Sequence, residues 1–288
     1  MQVASPEVPG RAAALPASIT TKVLRFLGRV ARALALPAMV IAAWQAAVAS
    51  GALPPRMMPS PLAVATTAYD FVLGNADSPG AYAFSGSFAK HAWVSTLRVL
   101  HGFSLAVVAG VSLGLMLGMS RTLERFVDPV LQVVRPIPIT AWLPLSIIWF
   151  GLGHRATIFL IFLGAFFPIL ISTTTGVKMV DRRFVEAAQM LGTSARQLFY
   201  RVYLPASLPS ILAGMRVGLG FAWVCLVVGE MTGVGAGLGS AIADARELFR
   251  VDLIIVGMLL IGLIGYASDM LVVYGFRRAL RWSPGLFR

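Results

Sequence analysis

Residues 186–205 read EAAQMLGTSARQLFYRVYLP, a polar and amphipathic stretch in a chain that is otherwise strongly apolar. Hydrophobic residues make up 58% of the 288 residues, charged residues make up only 12%, and the mean hydropathy is +0.81. This composition lies outside the range of soluble globular domains. The sequence therefore predicts an all-α integral membrane protein, in which residues 186–205 belong to a loop between two spans.

Six apolar runs are long enough to cross a bilayer, whose hydrocarbon core of about 30 Å requires roughly 20 apolar residues per helix. These predicted spans lie at approximately 34–53, 97–119, 126–151, 156–177, 209–232 and 253–275. They form a predicted six-span domain over residues 34–282. Residues 1–18 are expected to form a disordered tail, residues 19–33 a basic amphipathic helix, and residues 283–288 a short C-terminal tail.

Positive charge is concentrated on one side of the predicted spans. Seventeen of the 24 Lys and Arg residues fall in the N-terminal segment, near 121–135, in the loop from about 178 to 208, or at the C-terminus. Because cytoplasmic loops carry the excess of Lys and Arg, both termini are expected in the cytoplasm. The net charge of +12 is spread over short loops without a basic patch interleaved with aromatic residues, which argues against nucleic-acid binding.

The loop at 178–208 contains signals for two short helices joined by a sharp elbow. Asp181 is a suitable N-cap for a helix that ends at Leu191, and Gly192 suits the left-handed residue that follows a helix end. Ser194 and Gln197 form the S-x-x-Q pattern of a capping box. Residues 182–205 are called the elbow segment below.

On the first of these helices, small and apolar side chains share one face by the i, i+3, i+4, i+7 rule. They are Phe184, Ala187, Ala188 and Leu191. Alanines on an exposed face allow another surface to approach closely. The pattern alone leaves two interpretations open, because the helix either rests on lipid headgroups or docks against a protein partner.

The elbow segment resembles the signature E-A-A-x3-G-x9-I-x-L-P of permease subunits of ATP-binding-cassette importers. Its matching residues are Glu186, Ala187, Ala188, Gly192, Leu204 and Pro205, with Val202 where isoleucine is usual. Residues 53–61, 98–121, 149–170 and 278–282 are similar to the branch of that family that imports nitrate, sulfonates, taurine or bicarbonate. The resemblance covers nearly the whole chain from about residue 37.

This resemblance implies a type I importer permease fold and assigns the six matching residues to coupling with an ATPase. The implied partners are a cytoplasmic ATP-binding-cassette ATPase dimer that uses ATP and Mg²⁺, a second permease copy in a homodimer, and a periplasmic solute-binding protein. The implied location is a bacterial inner membrane. The implied function is the import of a small oxyanion by alternating access.

The sequence contains no motif that would make this chain an enzyme. Lys22, Lys90 and Lys178 follow Thr, Ala and Val, so no P-loop is present to hold a nucleotide. The three histidines are interpreted as ordinary solvated or interfacial residues, and the single cysteine, Cys225, as a small hydrophobe. We therefore expect this chain to bind no cofactor and no metal.

The third predicted span contains RPIPITAWLP, in which three prolines each remove a backbone donor. Freed carbonyls are tolerated at membrane depth against protein or a water-filled cavity, so this span is predicted to line the translocation path. A kink satisfied wholly by neighbouring helices is the alternative. The candidate path residues are Pro136, Pro138, Ile139, Trp142, Trp223 and Glu230.

Ionisable groups within spans need partners, because an unpaired charge in lipid is costly. Glu230 is expected to meet an arginine or to lie at a wet cavity, and Arg216 and Asp269 are expected to pair or to snorkel. An ion-gradient-driven secondary transporter, in which Glu230 or Asp269 would carry protons, is the alternative function.

Two further features concern packing and the outer surface. Gly110, Gly114 and Gly118 recur at four-residue spacing in the second predicted span, which favours close packing against another helix. An amphipathic helix predicted at 87–96 and the segment 233–252 suit an outer gate or a seat for a binding protein. Simple interfacial loops are the alternative for both segments.

Overall fold

A computed structural model describes residues 35–51, 54, 57–74 and 84–277. The regular structure of these residues is helical, and no strand occurs among them. The helices are α1 (Ala35–Ala49), α2 (Pro61–Leu73), α3 (Phe88–Met119), α4 (Arg121–Val134), α5 (Ile139–Phe150), α6 (His154–Lys178), α7 (Arg182–Met190), α8 (Ala195–Leu198), α9 (Leu204–Glu230), α10 (Leu238–Glu247) and α11 (Val251–Phe276). The predicted segments 1–18, 19–33 and 283–288 lie outside the described residues.

The chain divides into two compact units, Met1–Pro61 and Leu62–Arg288. In the first unit, α1 is an apolar helix with mostly exposed side chains. Its described part, Ala35–Ala49, is about 22 Å long at 1.5 Å per residue. The second unit contains the helices that position the candidate site.

The second unit is built around α6, which packs against α3 on one side and α9 on another. A methyl group added at Gly114 would lie 2.7 Å from the Cβ of Thr173, and one added at Gly110 would lie 3.0 Å from Ile169. The two glycines are offset from their α6 neighbours by the same number of residues, so α3 and α6 run parallel. The predicted packing role of the glycine stripe is confirmed, and its partner is α6.

The third predicted span is not one straight helix. It is divided into α4 and α5, which meet at an angle of 96° across residues 135–138. Pro136 and Pro138 cause the break, because neither can donate a backbone hydrogen bond and the ring of each clashes with a continuing helix. The prediction of one continuous span at 126–151 is therefore wrong, because the chain bends sharply within it. The prolines did indicate correctly that the helix is irregular there.

Four helical segments of the described chain are long and apolar enough to cross a membrane, and five are available if the bent α4–α5 pair counts as one span. They are Phe88–Met119, His154–Lys178, Ala195–Glu230 and Val251–Phe276. The amphipathic helix predicted separately at 87–96 is instead the beginning of the 32-residue α3. At its start Phe88 packs edge-on against Phe71 of α2, with ring centroids 5.8 Å apart.

Candidate functional site

The elbow segment begins with the short helix α7, whose two ends are both capped. The carboxylate of Asp181 accepts a hydrogen bond of 2.9 Å from the backbone N–H of Arg183. At the other end Gly192 adopts φ +75°. Its N–H donates to the carbonyl of Gln189 at 2.9 Å, and the N–H of Thr193 donates to the carbonyl of Ala188 at 3.2 Å. This pair of bonds is a Schellman motif, which reverses the chain immediately after the helix.

The predicted capping box begins the next helix. The hydroxyl of Ser194 accepts from the N–H of Gln197, and the side chain of Gln197 accepts from the N–H of Ser194. The predicted second short helix does not end in the elbow, however. It continues from α8 through the π-helical segment Phe199–Tyr203 into α9. Pro205 lacks an N–H for an ordinary helical bond at this junction, and Leu204 donates to Phe199 five residues back.

The α7 helix leaves large apolar side chains open to solvent. Phe184 is 68% exposed and Leu191 is 87% exposed. Glu186 and Ala187 are exposed, and Ala188 is partly exposed. Leu204 and Pro205 are partly buried at the start of α9. The structure therefore brings the signature residues into one elbow. Its first helix, α7, has an unpartnered apolar face, and the C-terminal end of the elbow continues into α9.

A substitution at Gly192 tests whether the elbow depends on its left-handed residue. We expect Gly192→Val to destabilise the elbow by roughly 1–2 kcal/mol, because a β-branched residue is strained at φ +75°. Trypsin should then cleave solubilised protein at the exposed Arg182, Arg183 and Arg196 about 5–30 times faster. Gly192→Asn is the control and should cleave nearly as slowly as the wild type, since asparagine tolerates this geometry. Equal cleavage of all three proteins would contradict a strained elbow.

Two adjoining cavities lie beside the break between α4 and α5. The first, called the polar cavity, has a volume of about 560 Å³ and is lined by Glu124, Asp128, Pro136 and Lys178, among others. The amine of Lys178 donates to the carboxylate of Glu124 within it. Asp128 accepts a hydrogen bond of 2.6 Å from Gln132. The carboxylates of the polar cavity therefore already have donors.

The second cavity, called the bend cavity, has a volume of about 370 Å³ and lies among α5, α6 and α9. Ile139 and Trp142 line it, together with Phe167 and Phe221. Pro138 lines neither of the two cavities. The structure thus places Pro136, Ile139 and Trp142 at cavities, in agreement with the interpretation of this segment as a cavity lining.

Trp223 lies away from the bend cavity, between α9 and α11. Its indole N–H donates to the hydroxyl of Ser268 at 3.0 Å, and its side chain is only 6% exposed. About two turns earlier in α9, Arg216 donates two hydrogen bonds of 2.8 Å to the carboxylate of Asp269. The expected pairing of these two ionisable groups is confirmed. Trp223 and this ion pair join α9 to α11.

Glu230 lies at the opposite end of α9 from the elbow and is 0% exposed. Its carboxylate accepts a hydrogen bond of 2.5 Å from Arg98, one of 2.8 Å from the Ser95 hydroxyl and one of 2.8 Å from the N–H of Gly239. The expected arginine partner is Arg98, which lies outside the four basic segments of the predicted cytoplasmic side. Burial of both groups makes this a structural ion pair that joins α3, α9 and α10.

Two histidines belong to the same cluster. Arg98 Nε donates to His154 Nδ1 at 3.0 Å, and the Nδ1 of His91 lies 2.7 Å from the carbonyl of Gly237. The interpretation of the histidines as solvated or interfacial residues agrees with the exposure of His154 and the partial exposure of His91, but the sequence did not indicate these hydrogen bonds. The segment 233–252 also differs from a simple interfacial loop, because α10 within it is buried along most of its length.

Comparisons with known proteins show the family of the chain. Residues 106–281 match the family model of the binding-protein-dependent transport system inner membrane component. Over 266 residues the chain is 38% identical to a putative aliphatic sulfonates transport permease protein of Escherichia coli, and the match covers 92% of this chain and 97% of that protein. Over 186 residues it is 47% identical to a putative ABC transporter permease protein of Methanocaldococcus jannaschii, with 64% and 70% coverage.

Among solved structures, a methionine ABC transporter in an inward-facing conformation matches with a TM-score of 0.54. The match covers 65% of this chain and 95% of the other chain at 19% identity, so the likeness concerns the fold alone. That fold is the type I importer permease fold. Because the family model and the Escherichia coli relative both span most of the chain, this protein belongs to the inner membrane components of binding-protein-dependent transport systems, the permease subunits of ABC transporters.

Proposed function

We propose that this permease imports a small oxyanion by alternating access, and that the elbow segment couples it to a cytoplasmic ATPase dimer. The exposed apolar face of α7 is the observation that carries this proposal. Large apolar side chains exposed together, such as Phe184 at 68% and Leu191 at 87%, mark a contact with another protein or with a membrane. Their position in the segment that resembles the coupling signature favours the ATPase as the partner. The capped ends of α7 hold that face in a fixed orientation, as a docking surface requires.

The route by which movement reaches the pathway follows from chain continuity. The elbow runs without interruption into α9, and Ala195–Glu230 forms one 36-residue helical segment. At 1.5 Å per residue, α9 alone carries a displacement over about 40 Å, from the elbow to the buried Glu230. When ATP and Mg²⁺ bring the two ATPase subunits together, the docked elbows move, and the pathway opens to the other side.

The proposed assembly contains two copies of this permease, because a single copy forms half of a pathway in the family it resembles. Each copy would cross the bacterial inner membrane six times, with α1 and the bent α4–α5 pair added to the four long helices. Both termini would lie in the cytoplasm, on the side that carries most of the Lys and Arg residues. A periplasmic binding protein would deliver the solute to the end that contains Glu230.

The oxyanion assignment has two supports. The sequence resembles the branch that imports nitrate, sulfonates, taurine or bicarbonate, and the Escherichia coli relative is named for aliphatic sulfonates. A thermal-shift screen of the cognate binding protein against nitrate, bicarbonate, taurine and alkanesulfonates would identify the solute.

The coupling role is tested by introducing aspartate at two positions that lie on different faces of α7. Permease variants Phe184→Asp and Gln189→Asp are reconstituted in liposomes with the ATPase and the loaded binding protein. We expect Phe184→Asp to abolish the stimulation of ATP hydrolysis and uptake, since it places a charge within the docking face. Gln189→Asp adds the same charge to an exposed polar position and should leave both nearly unchanged.

Normal coupled uptake with Phe184→Asp would mean that α7 merely rests on the membrane. The alternative of a secondary transporter is tested in the same liposomes. Uptake that persists without the ATPase and follows an imposed proton gradient would support it. The family match disfavours that outcome, and Glu230, which would carry the proton, is fully buried and accepts from three donors.

A further inference from the structure

Arg135 occupies the break between α4 and α5 and lines both the polar cavity and the bend cavity. The charge pattern had counted it on the cytoplasmic side, and the structure places it at the junction of two cavities. Among the described residues its guanidinium has no hydrogen-bond or ion-pair partner, whereas Lys178 pairs with Glu124 and Arg216 pairs with Asp269. Arg135 is also exposed, so this cation is open to water or to a ligand.

The two cavities form a route from the middle of the helix bundle to its elbow end. The bend cavity touches α6 between Leu163 and Ser172 and touches α9 at Val217 and Phe221, which lie near the middle of each helix. The polar cavity continues along α6 as far as its last residue, Lys178. Transporter sites commonly lie near the middle of the membrane, as the bend cavity does along α6 and α9, beside helices that are interrupted at the site.

The lining of the bend cavity has one charge and a mostly apolar wall. Its polar donors are the Arg135 guanidinium, the Ser172 hydroxyl and the Trp142 indole N–H, and no carboxylate lines it. Phe167 and Phe221 contribute aromatic surface. A wall of this kind suits a ligand with an anionic group at one end and an apolar group at the other. The volume of about 370 Å³ lies within the usual range for organic ligands.

We propose that the bend cavity binds the solute in transit and that this solute is a small organic anion, a sulfonate or carboxylate that carries an apolar group. Arg135 forms charged hydrogen bonds with the anionic group, and Trp142 and Phe167 contact the apolar part. This inference rests on the proposed transport function and narrows its substrate class from oxyanions in general to organic anions. It makes Arg135 a residue that determines specificity inside the permease itself.

The test measures protection of a cysteine placed in the bend cavity. The permease carrying Ile139→Cys and Cys225→Ser is assembled with its ATPase in nanodiscs, without the binding protein, and treated with neutral methyl methanethiosulfonate. We expect butanesulfonate or pentanoate to slow the modification, and the more effective of the two identifies the anionic group. Nitrate and butylammonium at equal concentrations should give no protection. Nitrate lacks the apolar group, and butylammonium lacks the anionic group.

Three further substitutions separate the charge of Arg135 from general effects. Arg135→Gln should raise the half-protecting concentration about tenfold or more, since it removes the charged hydrogen bonds. Arg135→Lys keeps the charge and should show a smaller increase. Arg125, within α4, lines neither cavity, and Arg125→Gln should have no effect.

An unreactive cysteine at position 139 would overturn the inference, because the cavity would then exclude water. Equal protection by nitrate would overturn the substrate class, and unchanged protection with Arg135→Gln would overturn the role of the arginine. Copurification of the ATPase with the permease is measured in the same preparations. If the ATPase copurifies and protection fails, only this inference is lost, whereas failure of assembly would count against the proposed function.

Discussion

Replacement of Glu230 by alanine is expected to destabilise the protein more than any other single loss of an ionisable group in the described chain. Glu230 is 0% exposed and Arg98 is 2% exposed, and their side chains are 2.5 Å apart. Removing one partner of such a pair leaves a buried charge, at a cost of about 3–5 kcal/mol. The melting temperature of the solubilised protein should fall by roughly 6–20 °C.

The local hydrogen bonds explain why alanine cannot be accommodated. Arg98 also donates to the carbonyl of Ala236 at 2.7 Å, and the N–H of Gly239 donates to the Glu230 carboxylate at 2.8 Å. Without the carboxylate, the first turn of α10 loses its anchor and the guanidinium loses its counter-charge. The helix α10 should therefore separate from α3 and α9 before the remainder of the bundle unfolds.

The Arg216–Asp269 pair provides a matched control within the same protein. Its two side chains are 43% and 23% exposed, so solvent screens the interaction and its removal should cost only about 0–1 kcal/mol. Asp269→Ala is therefore expected to shift the melting temperature only slightly. The double variant Arg98→Met with Glu230→Met should recover part of the lost stability, because it removes both buried charges. Equal losses for Glu230→Ala and Asp269→Ala would show that burial of the pair has no energetic consequence.

The elbow could be predicted in detail because its determinants are local. Asp181, Gly192, Ser194 and Gln197 each satisfy or permit a backbone conformation within a few residues, and all four act as the sequence pattern indicates. The continuation of α8 into α9 was missed. It depends on a π-helical turn before Pro205, for which the sequence offers only the proline itself.

Partners distant in sequence could not be identified in the same way. Arg98 and Glu230 are separated by 132 residues, and nothing in the sequence distinguishes Arg98 from other arginines on the outer side. The prolines at 136 and 138 predict an irregularity, but the angle of the bend depends on packing against α6 and α9. The position of Arg135 between two cavities follows from that angle, so the charge pattern could place Arg135 only on the cytoplasmic side.

The glycine stripe of α3, which consists of Gly110, Gly114 and Gly118, is an intermediate case. The sequence predicts its close packing but does not indicate which helix packs against it. We expect Gly114→Ala to destabilise the protein by about 1–3 kcal/mol and Gly114→Leu to prevent stable folding. A methyl group at this position would lie 2.7 Å from the Cβ of Thr173 and 2.9 Å from the carbonyl oxygen of Leu170. The backbone atom cannot rotate away as a flexible side chain would, so α3 and α6 must separate.

A glycine in open space supplies the control for this substitution. Gly262 lies within α11, and a methyl group there would meet nothing within 4 Å. Gly262→Ala should therefore stabilise the helix by roughly 0.5–1 kcal/mol, since alanine loses less backbone freedom on folding. Melting curves of the two alanine variants in the same detergent are expected to shift in opposite directions. A shift of the same sign and size for both would mean that helix propensity alone determines the result, and that α3 does not need a bare backbone to pack against α6.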